Sequence, residues 1–171
     1  MSNVAICILI LRVMVSAAPA AQAEWTGVER VVAVGDVHGD YANFVSVLRS
    51  ARLIDDKGRW IGGKAHLVQT GDLLDRGADS RKVMDLLMLL EKQAAKAGGQ
   101  VHALIGNHEA MNLYGDLRYT TAGEFAAFRT GQSEEVRAAF WEREISGLPT
   151  PPGEADRKNW EAEHPLGWFE G

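Results

Sequence analysis

Cysteine and basic charge are both scarce in this sequence. Its 171 residues include one cysteine, and 18 lysines and arginines stand against 23 aspartates and glutamates. A single thiol excludes an internal disulfide and argues against a structural zinc site built on cysteines. The net charge of -5 argues against a nucleic-acid partner, because proteins that bind phosphate backbones usually carry a basic excess. The length fits one domain.

Long apolar runs are absent as well. Residues 4–15 are mostly apolar, but the run is short for a bilayer span and Arg12 interrupts it. Small residues follow and end in Ala-Gln-Ala at 21–23, the order of a secretory signal with its cleavage site. We therefore predict a signal peptide over 1–23 and a periplasmic or secreted protein without stable membrane insertion after cleavage. The alternatives are a misassigned start codon or a buried strand, in a cytoplasmic protein.

Strand and helix patterns alternate between residues 29 and 109. Three short apolar runs predict strands: "RVVAV" (30–34), "AHLVQ" (65–69) and "QVHALI" (100–105). Apolar residues recur at helical spacing after Asp40 and after Asp79, which we predict as N-caps of two intervening helices. The face of the first helix predicted to be buried consists of Phe44, Val47, Leu48 and Ala51.

This alternation predicts an α/β fold in which a βαβαβ unit forms a parallel sheet with right-handed crossovers. A polar motif follows each strand, at 35–40, 71–77 and 106–109. Because parallel strands end at one edge of the sheet, we expect these motifs to converge there. Further along, "EFAAFR" and "SEEVRAAFWEREI" predict helices, the second capped by Ser133, and residues 147–171 predict an irregular segment.

The three motifs together supply the donor atoms of a metal site. Asp36 and His38 alternate by two, so in an extended segment both side chains can reach one ion. The Asp72 carboxylate has two oxygens and can bridge two ions, and the Asn107 amide oxygen can serve the second. These oxygen and nitrogen donors suit Mn, Fe or Zn, and two such ions can clamp a phosphate and generate a hydroxide for in-line attack.

Three further residues of the motifs suit catalysis. His108 is a candidate general acid for the leaving oxygen. Asp75 could orient that imidazole and favour its charged form. Arg76 presents a planar fork that suits two phosphate oxygens. We therefore predict His108, Asp75 and Arg76 as the catalytic set.

Other polar residues in or near these patterns are predicted to be structural. Glu109 is interpreted as structural rather than as a ligand, and Asp40 either caps a helix or supports the site. His66 and His102 lie inside predicted strands and are assigned to the core or surface. His164, in "EHPLGW", is assigned to a loop.

"GDVHGD", "GDLLDRG" and "GNHE" resemble the signatures of the calcineurin-like metallophosphoesterase superfamily. The flanks "RWIGGKAHLVQTGD" and "MNLYGDLRY" are similar to those of the Shewanella-like bacterial phosphatases, in the phosphoprotein-phosphatase branch. The resemblance covers residues 28–120 and implies the N-terminal half of a catalytic core, in which the parallel sheet is half of a β-sandwich flanked by helices. It implies the metal and catalytic roles given above and a metal-bound hydroxide as nucleophile.

The resemblance also implies that family members continue into a second half with further histidine ligands and a second sheet. We therefore expect residues 121–171 to be a helical and irregular extension, the second metal site to be incomplete, and activity to be impaired. The predicted function is a dinuclear metal-dependent phosphoesterase acting on phosphomonoesters, phosphoproteins included. The alternatives are a dinucleoside polyphosphate hydrolase of the same superfamily and a non-catalytic metal- or phosphate-binding remnant. The metal, the substrate and the oligomeric state stay open.

Overall fold

The computed structural model describes residues 24–170. The predicted signal peptide lies outside the described residues and stays a prediction. No helix within the described part combines the length and apolar character that a membrane span requires. The elements follow in the order β1 Val31–Val34, α1 Tyr41–Ser50, β2 His66–Gln69, α2 Ser80–Lys96, β3 Gln100–Ala103, α3 Asn107–Leu113, α4 Ala122–Phe128, α5 Ser133–Ile145 and α6 Glu154–Glu163.

The three strands form one parallel sheet in the order β1-β2-β3. Leu67 in β2 pairs with Val32 on one side and Val101 on the other, and these residues share one face. The predicted α/β fold with a parallel βαβαβ sheet is therefore confirmed. β3 ends at Ala103, two residues before its predicted end, and the two apolar residues that follow it are exposed.

One hydrophobic cluster joins the sheet to α1 and α2. From α1 it takes Phe44 and Leu48, and from α2 it takes five apolar residues at helical spacing. Those five are Val83, Leu86, Leu87, Leu90 and Ala94. Full burial of one leucine or phenylalanine contributes about 1.5–3 kcal/mol, so this cluster is the main stabilising feature of the sheet. Val47, predicted on the buried face of α1, is 45% exposed.

The two predicted aspartate caps behave differently. Asp40 Oδ1 accepts a hydrogen bond from the Asn43 backbone nitrogen at 3.1 Å, so Asp40 caps α1. Asp79 also precedes its helix but makes no side-chain cap bond. Its carboxylate instead lies 2.7 Å from Lys82 Nζ, within the first turn of α2. Both helices begin where the sequence predicts, with only one capped by its aspartate.

The C-terminal segment differs from the prediction in two places. α5 begins at Ser133, and its N-cap is Gln132. Residues 147–171, predicted to be irregular, contain α6, so that prediction is wrong for residues 154–163. α6 buries no residue and so lacks an apolar stripe, which removes the pattern that would predict a helix. Ion pairs four residues apart, such as Arg157 with Glu161 at 2.9 Å, stabilise it instead.

Aromatic rings join α5, α6 and the residues that follow. Phe140 and Phe169 stack with centroids 3.8 Å apart, and Trp160 stacks on His164 at 4.4 Å. Trp141 is buried against Trp160. The tryptophans of this segment therefore cover a small aromatic core of their own. His164, predicted to be a loop residue rather than a ligand, follows α6 as its C-cap and contacts these rings.

Candidate metal and phosphate site

The three predicted motifs converge at the carboxyl edge of the sheet, as their positions after parallel strands predict. The backbone nitrogens of Val37 and His38 both donate to the carbonyl oxygen of Asp72, at 2.9 and 3.0 Å. The His108 backbone nitrogen donates to Asp72 Oδ1 at 2.9 Å. Asp72 therefore contacts both neighbouring loops and lies at the centre of the site.

Two glycine pairs permit this close approach of the loops. A Cβ on Gly71 would overlap the backbone of Gly106, and Gly71 has a φ of +99°. A Cβ on Gly77 would overlap the carbonyl oxygen of His38 and the backbone of Gly39. Any side chain at these positions would separate the loops and move the site residues apart.

The backbone is strained at four of the seven predicted site residues. His38, Asp72, Asp75 and Arg76 have φ values of 48°, 57°, 69° and 66°, in the left-handed region. They are four of the five non-glycine residues with positive φ in the described part of the chain, the fifth being Arg52. Such a conformation costs about 1–3 kcal/mol per residue and persists only where surrounding contacts enforce it.

Glu109 supplies part of that enforcement. Its carboxylate accepts hydrogen bonds from the backbone nitrogens of Asp72 and Leu73, both at 2.7 Å, and of Leu74 at 3.3 Å. It also accepts from the Gly106 nitrogen at 2.8 Å. The carboxylate thus holds the turn that carries Asp72, which agrees with the structural role expected for it.

His38 and Asp72 present donor atoms of the kind a metal ion requires. His38 Nδ1 lies 2.9 Å from the Leu74 carbonyl oxygen, so Nδ1–H donates there and leaves the Nε2 lone pair for the site. One donor atom each from His38, Asp72 and His108 lie within 4.8 Å of one another. The chemistry of this donor set fits Mn, Fe or Zn.

The other two predicted metal ligands are more exposed than the members of this group. Asp36 Oδ2 is 3.8 Å from His38 Nε2, and its side chain is 65% exposed. Asn107 is the first residue of α3 and is exposed, with its amide nitrogen 4.0 Å from Met111 Sδ. His108, predicted as the general acid, also has a ring nitrogen within this donor group.

His108 and Asp75 form a buried pair. Their side chains are 3% and 0% exposed, and His108 Nδ1 lies 2.7 Å from Asp75 Oδ2. With the proton on Nδ1 donated to the carboxylate, the His108 Nε2 lone pair faces the site. The predicted contact between these residues is thus present.

Arg76 lies between the two site imidazoles. Its Nη1 donates to His38 Nε2 at 2.8 Å, and its Nη2 donates to His108 Nε2 at 3.1 Å. The guanidinium carbon also lies 5.7 Å from the centroid of the Tyr119 ring. Both donors of the planar fork therefore point into the group of donor atoms to which His38 and His108 belong.

Residues beyond the three motifs complete the site, and sequence reasoning did not single them out. Thr120 and Asn112 donate to the Asp75 carboxylate, and the Arg76 backbone nitrogen donates to the Tyr119 carbonyl oxygen at 3.0 Å. Glu124 is buried and accepts from the Asp75 backbone nitrogen at 2.8 Å. Only Glu124 has a sequence signal, because it closes a capping box with Thr121 at the start of α4.

A turn organises the segment that supplies these contacts. The Asp116 carboxylate pairs with the Arg118 guanidinium at 2.7 Å, across one intervening residue. Hydrogen bonding from Arg118 lowers the pKa of Asp116 below its usual value, so the ion pair persists to a lower pH. Arg118 and Asp116 thereby tie together the turn that leads to Tyr119 and Thr120.

The model of the calcineurin-like phosphoesterase family matches residues 29–163, and the chain belongs to this family. The resemblance that the three motifs predict is thereby confirmed. The family uses divalent metals, in agreement with the donor group at the sheet edge. The calcineurin-like phosphoesterases are hydrolases, so the chain belongs to a hydrolase family.

Named relatives are phosphatases. Shewanella-like protein phosphatase 2 of Arabidopsis thaliana is 46% identical over 93 residues, 54% of this chain and 24% of that protein. Shewanella-like protein phosphatase 1 of Plasmodium berghei is 37% identical over 105 residues, 61% of this chain and 28% of the relative. A crystal structure of a cold-active protein-tyrosine phosphatase of a psychrophilic Shewanella species matches 56% of this chain, with 46% identity and a TM-score of 0.55. The match covers 29% of the phosphatase chain. The chain thus spans less than a third of each.

Proposed function

We propose that this chain carries the metal- and phosphate-binding centre of a phosphatase that hydrolyses phosphomonoesters, including those on proteins. The observation that carries the proposal is the buried His108–Asp75 pair beside the donor atoms of His38 and Asp72, with Arg76 between the imidazoles. The phosphatase names of the relatives support a phosphorylated substrate. The likeness to a protein-tyrosine phosphatase structure supports a protein substrate.

The proposal includes two ions, each Mn, Fe or Zn. Asp36, His38 and Asp72 would hold the first, and Asp72 with Asn107 would hold the second. When bound, such ions supply neutralisation of phosphate charge and activation of water for attack on phosphorus. Glu109 fixes the Asp72 backbone through a 2.7 Å hydrogen bond, which would keep the Asp72 carboxylate in place for metal binding.

The chain's own residues bind the phosphate and move a proton. Arg76 exchanges its two imidazole acceptors for two phosphate oxygens, which are better acceptors because they are charged. When Arg76 binds the phosphate, it no longer contacts His108 Nε2. This nitrogen then carries a proton and donates it to the leaving oxygen. Asp75 accepts from Nδ1, which keeps the ring oriented and balances its charge while Nε2 carries the proton.

The first experiment measures hydrolysis of p-nitrophenyl phosphate by the purified chain with added Mn²⁺, Fe²⁺ or Zn²⁺. We expect turnover that needs the metal and that falls about 100-fold or more in Asp72→Asn, because the amide removes the central negative donor. Asp85→Asn is the matched control, since Asp85 is exposed on α2 and pairs with Arg81. Full activity in Asp72→Asn would contradict the site assignment.

Substrate class is tested by a direct comparison. A phosphotyrosine peptide, a phosphoserine peptide and diadenosine tetraphosphate are offered to the same metal-loaded protein. We expect cleavage of the phosphopeptides, because one terminal phosphate suits the single Arg76 fork. Faster cleavage of the dinucleotide would replace the proposal with a polyphosphate hydrolase. Metal binding without turnover of any of the three would leave a binding protein.

A further inference from the structure

The Asp75 carboxylate is completely enclosed, and two of the three side chains that donate to it come from outside the recognised motifs. Asp75 is 0% exposed. Its Oδ1 accepts from Thr120 Oγ1 at 2.8 Å and from Asn112 Nδ2 at 3.2 Å. Its Oδ2 accepts from Asn112 Nδ2 at 3.2 Å and from His108 Nδ1 at 2.7 Å. A buried carboxylate requires such donors, since an unpaired buried charge is unfavourable.

The arrangement leaves Asp75 one orientation. Thr120 and Asn112 hold Oδ1, and Asn112 also bonds the His108 carbonyl oxygen at 3.0 Å. Oδ2 is therefore directed at His108 Nδ1. Rotation of the carboxylate about its Cβ–Cγ bond would disrupt the four hydrogen bonds from these three side chains at once. The backbone of Asp75 is fixed as well, because its nitrogen donates to the buried Glu124 carboxylate.

We infer that Thr120 and Asn112 are positioning residues that act on the leaving group through Asp75 and His108. This inference rests on the proposed role of His108 as proton donor. The proton on His108 Nε2 reaches the leaving oxygen only if the ring plane is held, and the ring is held by its bond to Asp75. Loss of a hydroxyl donor at Asp75 Oδ1 frees the carboxylate to turn and misaligns the imidazole. The side-chain donors of Thr120 and Asn112 are directed at Asp75 and at the His108 carbonyl oxygen.

The kinetic test compares two aryl phosphates in Thr120→Val, Thr120→Ser and wild type. Phenyl phosphate needs protonation of its poor leaving group, and 2,4-dinitrophenyl phosphate does not. In Thr120→Val we expect kcat for phenyl phosphate to fall about tenfold, the loss of one hydrogen bond, with KM unchanged. The same variant should lose less than about twofold on the dinitrophenyl ester, and Thr120→Ser should recover most of the loss.

An exposed threonine outside the site provides the control variant. Thr130→Val removes an exposed hydroxyl that accepts only from the Gln132 backbone nitrogen, and it should match wild type on both esters. A general loss of structure would lower both rates in Thr120→Val by the same factor. Equal losses, or no loss, would therefore overturn the inference. Asn112→Leu should show the same split between the two esters.

A second measurement needs no turnover and separates this inference from the proposed function. Imidazole NMR of the ¹⁵N-histidine-labelled, metal-free protein reports the Nδ1–H proton of His108, assigned by its loss in His108→Gln. We expect a sharp, slowly exchanging signal in wild type and Thr120→Ser, and exchange broadening in Thr120→Val. An unchanged signal in Thr120→Val would overturn the inference. If wild type cleaves neither ester, the proposed function fails and this signal still decides the positioning role.

Discussion

Residues 31–103 and residues 122–170 are stabilised in different ways. Among the described residues, every buried apolar side chain except Trp141 lies between Val37 and Val101, in the cluster of the sheet, α1 and α2. The later region relies on stacked aromatic rings and on ion pairs along α6. Apolar burial on this scale gives the first region cooperative stability, whereas rings at the surface and exposed ion pairs contribute less.

The two regions also contribute differently to the site. The first region and the start of α3 carry the proposed site residues, and the backbone is strained at four of these. The second supplies Glu124, and the segment before it supplies Thr120, and these two residues hold Asp75. The later region thus supports the geometry of the site without donating to it. Its lower stability is expected to appear as local opening around Asp75 before the sheet unfolds.

The largest expected effect comes from the core of the first region. Leu90 is 0% exposed, and Leu90→Ala should lower the free energy of unfolding by about 3 kcal/mol, since it removes buried apolar area and leaves a cavity. Urea unfolding followed by far-ultraviolet circular dichroism measures this. Met88→Ala on the same helix is the control, and at 51% exposure it should change stability by less than about 0.5 kcal/mol. Similar losses for both would contradict a core centred on α2.

A smaller effect is expected in the later region. Trp160 contacts Trp141, His164 and Phe169, and Trp160→Ala should cost about 1–2 kcal/mol of local stability because it removes partly exposed ring contacts. Amide hydrogen exchange should accelerate in α5 and α6 and stay unchanged in β2. Trp160→Phe keeps a ring there and is the control. Equal acceleration in β2 would show that the two regions unfold as one unit.

The part of the fold that the sequence predicts is the part with apolar periodicity. α2 has five buried apolar residues at helical spacing, and each strand lies in a short, mostly apolar run followed by a motif that contains glycine. Val47 has the spacing of a buried residue of α1, yet its side chain is 45% exposed. Apolar spacing alone therefore overestimates burial. α6 has no buried residue, so its helix depends on charge pairs and aromatic contacts that become visible only in three dimensions.

The site is predictable to the extent that its residues lie in short motifs after strands. Parallel topology brings those motifs together, and the contact of Asp75 with His108 follows from it. Thr120 and Asn112 belong to no periodic pattern, and their contact with Asp75 depends on how the chain turns between α3 and α4. The orientation of Asn107 likewise depends on its place at the start of α3.

The pKa shifts of single side chains also differ between the two regions, and their expected effect on stability is smaller still. Burial, and secondarily the charge of the neighbouring His66, lowers the pKa of His102 in β3 below its usual 6.5. The unfolded chain therefore binds more protons than the folded protein between 6.5 and the lowered value. Stability contributed by neutral His102 is complete above pH 6.5 and is lost as pH falls below it.

We expect the melting temperature to fall between pH 8 and pH 5.5, and His102→Gln to reduce that fall by about 2 °C. Arg157→Ala in α6 is the matched test of the later region. A hydrogen bond from Arg157 lowers the pKa of Glu161 below its usual 4.5, so the stability from this pair is present above 4.5 and is lost only at lower pH. Arg157→Ala should therefore leave the difference between pH 8 and pH 5.5 unchanged. If Arg157→Ala reduced the fall in melting temperature as much as His102→Gln does, the pH dependence would not originate in the sheet. The two regions would then not differ in their response to pH.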